Sequence, residues 1–105
     1  DHVIIAIDLG ADIHHNHNDP VRMASLNGRL EVVKYLTERG ANIHSVDNFA
    51  VRVASRQGHL EVVKYLVSQG ADIHADNDLA VKLANNTGHS EVVDYLVSVG
   101  APDPR

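Results

Sequence analysis

The sequence predicts an all-α solenoid of stacked helix-turn-helix units joined by shortened turns. Three observations carry that prediction. A Gly-Ala pair returns every thirty residues, at Gly10-Ala11, Gly40-Ala41, Gly70-Ala71 and Gly100-Ala101. Inside each interval the apolar residues fall at helical spacing. The chain has 105 residues, 44% of them hydrophobic, which is enough for one structural unit and too little for two separate cores.

Residues 1–10 read as the last helix of a partial unit, with Val3, Ile4, Ile5 and Ile7 as a dense apolar cluster. Three full units follow at 11–40, 41–70 and 71–100. Residues 101–105 start a fourth unit that breaks off, because Ala101-Pro102-Asp103 abandons the Ala71-Asp72-Ile73-His74 wording. The whole chain, 1–105, is expected to be one domain.

The second full unit shows the logic. Val51 and Ala54, spaced i and i+3, mark one face of a short helix from about Ala50 to Gln57. Gly58 ends that helix, supplying a left-handed residue without a Cβ penalty. Val62, Val63, Leu66 and Val67 then mark a second helix, Leu60 to Ser68, with Glu61 in its electropositive first turn. Gly70 closes it. The polar stretch from His44 to Asn48 is too short for a helix and suits a turn. In the first unit Asp19-Pro20 predicts a capping carboxylate followed by a proline at the first helical position, where its missing N–H costs nothing. Helix pairs this short cannot bury their apolar faces alone, so the units must stack.

Composition narrows the function. Nine basic residues against fourteen acidic give a net charge of -5, the wrong sign for neutralising phosphates, so nucleic acid is not an expected partner. No apolar segment approaches the roughly 18 residues that span a bilayer, so no membrane partner is expected and the domain reads as soluble. There is no Cys, hence no disulfide framework and no thiolate; this fits an intracellular setting. Aromatic residues make up 4% of the chain, which favours small close-packed helices over a large cleft.

The strings Gly58-His59-Leu60-Glu61-Val62-Val63-Lys64-Tyr65-Leu66 and Gly70-Ala71-Asp72-Ile73 resemble the second helix and exit loop of the ankyrin repeat. The resemblance covers nearly the whole chain. It departs from the family in length: the ankyrin unit has about 33 residues and a Thr-Pro-Leu-His segment, where this chain reads Asp19-Pro20-Val21-Arg22, Phe49-Ala50-Val51-Arg52 and Leu79-Ala80-Val81-Lys82. The missing residues fall in the turn before the first helix, which shortens the projecting finger. Thirty-residue units of this wording are similar to the ankyrin arrays encoded by giant viruses of amoebae, which would place the chain in a host cytoplasm. The resemblance implies protein binding without catalysis or cofactor.

Several constellations compete with that reading. His14, His15 and His17 with Asp12 and Asp19 could suit a transition metal. Only His14 recurs, as His44 and His74, and adjacent helices lie roughly 8–10 Å apart, too far for nitrogens that share one zinc at about 2.0–2.1 Å each. A hydrogen bond from each recurrent imidazole to a neighbouring backbone carbonyl is the expected role. Arg22, Arg52 and Lys82 form a basic column that acidic columns, Asp12 with Asp72 and Glu31, Glu61 and Glu91, can neutralise. No nucleophile-base pair, carboxylate pair or phosphate-cradling loop has the context catalysis needs.

Positions that differ between units are the expected recognition residues, since stacking fixes the rest. Before the glycine reversal these are Leu26, Asn27, Arg56, Gln57, Asn86 and Thr87, with Leu26 expected as an exposed apolar group. In the turns they are Asn16, His17, Val46, Asp47, Asp76 and Asn77. The predicted function is a protein-binding module that uses the inner helix surface and short turns. The alternatives are a structural spacer in a longer array and a metal-responsive module built on His14 to Asp19. Self-association through the N-terminal apolar face is a further expectation.

Overall fold

Valine pairs followed three residues later by leucine set the second helix of every unit, and a valine with an alanine sets the first. In a computed structural model that describes residues 15–105, with side chains from residue 20 onward, these become three helix pairs. They are α1 (His15–Leu26) with α2 (Leu30–Glu38), α3 (Ser45–Arg56) with α4 (Leu60–Ser68), and α5 (Ala75–Asn86) with α6 (Ser90–Ser98). Among the described residues there is no strand. The N-terminal cluster Val3 to Ile7 and the His14 imidazole lie outside the described residues.

One continuous core runs through the stack. Val21 and Ala24, Val51 and Ala54, and Val81 and Ala84 from the first helices meet Val33 and Leu36, Val63 and Leu66, and Val93 and Leu96 from the second. All are buried, and each fully buried Val or Leu side chain contributes about 1.5–3 kcal/mol of transfer free energy. Ile43 and Ile73 close the core where one unit passes to the next. The first helices pack more closely against one another than the second helices do. Ala24, Ala54, Ala84, Ala50 and Ala80 permit this on the inner row, while Tyr35, Tyr65 and Tyr95 hold the outer row apart. The stack therefore curves, with the first helices on its inner side.

The turns before the first helices depart from expectation. Hydrogen-bonded helical turns begin at Ser45 and Ala75, about five residues before the Ala50 start predicted from the apolar spacing. The reason is backbone handedness. Residues Val46, Asp47 and Asn48, and again Asp76, Asn77 and Asp78, all have positive φ between 52° and 63°. They still close helical bonds, from Asn48 N–H to the His44 carbonyl at 3.0 Å and from Asp78 N–H to the His74 carbonyl at 3.0 Å. The right-handed helices start only at Phe49 and Leu79. Five of the six left-handed residues are Asn or Asp, the non-glycine types that visit this region most readily. Val46 is the exception. Pro20 likewise lies inside α1 rather than at its first position, because the hydrogen-bonded run starts in the turn.

Candidate functional site

Handedness at the turns is held by side chains. The Asn42 carboxamide oxygen accepts the His44 N–H and the Asp72 carboxylate accepts the His74 N–H, both at 2.9 Å. The recurrent imidazoles do not reach backbone carbonyls as expected: His44 Nδ1 donates to Asn48 Oδ1 at 2.9 Å and His74 Nδ1 to Asp78 Oδ1. Their partners are side chains four residues on because the left-handed turn brings those groups back over the ring. Asn48 Oδ1 also accepts the Asp72 N–H at 3.0 Å, so this buried side chain joins one unit to the next.

The imidazole that does bind a carbonyl is one the sequence reading passed over. His59 Nε2 donates to the Leu26 carbonyl of the preceding unit at 3.0 Å, while its ring lies against Gly28. His89 takes the same place over Gly58. Thr87, one of the predicted recognition residues, has its hydroxyl 2.8 Å from both the Arg56 carbonyl of the preceding unit and the Leu83 carbonyl of its own helix, which share its single proton.

Within the basic column Arg52 is held by backbone carbonyls rather than by the expected carboxylates. Arg52 donates from Nε to the Asp47 carbonyl at 2.9 Å and from Nη2 to the Val46 carbonyl at 2.8 Å, gathering the left-handed turn. Its guanidinium carbon lies 5.5 Å from the Phe49 ring centroid, and that of Arg22 lies 5.3 Å from the same ring. Glu31 and Glu61 instead face Lys34 and Lys64 in their own helices, at 3.8 and 3.9 Å. Glu91 is likewise in a second helix, Asp72 accepts the His74 N–H, and Asp12 lies outside the described residues.

On the inner side, α3 and α5 enclose a shallow groove of about 210 Å³ lined by Phe49, Arg52, Val53, Arg56, Leu79 and Leu83. Met23, one repeat before Val53, is 50% exposed on the same side. Of the predicted recognition residues the groove gathers Arg56. Asn27, Gln57 and Asn86 are exposed at the helix ends beside it. Leu26 is half-buried rather than exposed, since its carbonyl and flank are covered by His59. Val46, Asp47, Asp76 and Asn77 are exposed at the turn tips. Asn16 and His17 belong to α1, and their side chains lie outside the described residues. The apolar lining Phe49, Val53, Leu79 and Leu83 was missed in the sequence, although its thirty-residue spacing was present.

Among the described residues no group of three or more His, Asp or Glu could hold a metal ion. No described helix is long and apolar enough to cross a membrane. A family model described as ankyrin repeats, in three copies, matches residues 22–104. Comparison with curated proteins finds no match.

Proposed function

The chain belongs to the ankyrin repeat family, a family of protein-protein interaction modules that typically act as non-enzymatic scaffolds, and from that premise we propose that it binds a partner protein through the inner surface of its first helices and the adjoining turns. The groove between α3 and α5 carries this reading. Stacking consumes the Val, Ala and Leu positions of the core, yet Phe49, Leu79 and Leu83 remain partly open on the inner side. Partly exposed apolar and aromatic groups flanked by two arginines have the composition of a recognition patch. A spacer would have no use for them.

Capture experiments with the intact chain test the reading. Phe49→Ala with Leu83→Ala should abolish capture of specific partners, while Lys34→Ala with Lys64→Ala on the outer row should leave it intact, both variants being helical by circular dichroism. The reverse pattern would move binding to the outer row and refute the proposal.

A further inference from the structure

We propose that the inner groove receives an acidic protein segment, one that lays an aliphatic side chain on the Phe49, Leu79 and Leu83 floor and presents carboxylates to the surrounding cations. This rests on the reading of the inner surface as the binding face.

Charge segregation is the first observation. The right-handed parts of the first helices in the second and third units, 49–56 and 79–86, contain Arg52, Arg56 and Lys82 and no carboxylate, while the equivalent stretch of the first unit, 19–26, holds both Asp19 and Arg22. The second helices carry Glu31, Glu38, Glu61, Glu91 and Asp94 against Lys34 and Lys64. A chain with net charge -5 therefore displays cations on the one face that also holds an apolar groove. Among the described residues Arg52, Arg56 and Lys82 form no ion pair.

The second observation is how Arg52 is held. Carbonyl oxygens and the face of Phe49 fix its position without cancelling its charge. A guanidinium has five N–H donors, and two are used, which leaves three for an incoming carboxylate. Fixing the cation beforehand removes much of the ordering cost of binding. Exposed Arg56 and Lys82 extend the positive surface along α3 and α5.

The turn tips set the polarity of the occupant. Asp47 and Asp76 are exposed there, and Asp78 stands beside His74. These acids repel a carboxylate beyond Arg52, at the turn tip itself, and favour its seating between Arg52 and Arg56 along α3. They also oppose a phosphate backbone laid along the stack.

The test is selection of a displayed random-peptide library on the immobilised intact chain, followed by fluorescence anisotropy with the enriched peptides. Enrichment of peptides combining Asp or Glu with Leu, Ile or Val supports the proposal, provided Arg56→Glu with Lys82→Glu weakens them by roughly tenfold or more and Leu83→Ala weakens them too. Both charge substitutions are at exposed positions and leave the core alone. Enriched peptides that are neutral or basic but still depend on Leu83 overturn the acidic assignment while the binding face stands. Peptides indifferent to all three substitutions, or no enrichment, overturn both. A concentration-dependent mass in sedimentation that Arg56→Glu abolishes would assign the groove to a second copy of the chain and overturn the proposal as well.

Discussion

Gly28 offers the sharpest test of how the units are joined. It has φ +70°, and a Cβ built on it would lie 2.5 Å from His59 Nδ1, 2.7 Å from Cε1 and 2.9 Å from Cγ. Because the base of the ring is as close as its tip, flipping the imidazole does not clear the contact; the whole side chain must swing away and release the Leu26 carbonyl. Gly88 supplies the control, with φ +80° and nothing within 4 Å of its hypothetical Cβ. Gly88→Ala should therefore cost only the left-handed penalty, about 1–2 kcal/mol. Gly28→Ala adds overpacking of about 1–3 kcal/mol and a lost hydrogen bond of about 0.5–1.5 kcal/mol. The expected loss is roughly 3–6 kcal/mol, read as a fall in the urea midpoint followed by circular dichroism. In a His59→Ala background the same glycine substitution should again cost only about 1–2 kcal/mol. Equal losses for Gly28→Ala and Gly88→Ala, or no coupling to His59, would refute the idea that the ring locks the joint.

Three further outcomes are expected. Asn48→Ala leaves the Asp72 N–H without its acceptor and removes the His44 partner, so urea unfolding should show a loss of about 1–3 kcal/mol on top of the left-handed penalty of about 1–2 kcal/mol that alanine meets at φ 59°, whereas the exposed Asp47→Ala, at φ 52°, should show that penalty alone. Val46 is 47% exposed and β-branched at φ 55°, so Val46→Gly should raise the melting temperature, the relief of about 1–2 kcal/mol exceeding the roughly 0.5–1 kcal/mol that glycine loses in chain entropy. At the C-terminus the guanidinium of Arg105 beside Asp103 holds that carboxyl below its ordinary range. NMR should show Asp103 titrating below a free aspartate and Arg105→Ala raising it part of the way, because the residue-105 backbone N–H still donates to the carboxylate. Because the shift is downward, this contact is present above the unfolded pKa and is lost as pH falls through the lowered folded value.

Periodic features of the fold were legible because each is stated three times. The second helix, Leu60–Ser68, matches the span read from Val62, Val63 and Leu66, and the reversal glycines have the positive φ that the sequence required. Turn handedness was not legible, since it goes with side chains that reach back four residues, Asn48 to His44 and Asp78 to His74. His59 escaped notice because its partner lies thirty-three residues away and the first unit has Arg29 in its place. The groove was hidden for a related reason. Met23, Val53 and Leu83 form a column that is constant in chemistry and variable in identity, whereas the sequence reading looked for identity in the core and for variation at the surface.

The alanine row gives the stack a particular stiffness. Inner helices that pack against one another with buried Ala24, Ala54 and Ala84 among them have little room to be pressed closer, and close-packed interiors compress very little. Bending that would tighten the curve meets a hard stop, while bending that would straighten it must pull the inner helices apart. The curved side is consequently a template of fixed width, and an occupant has to fit the spacing it finds rather than draw the helices around itself.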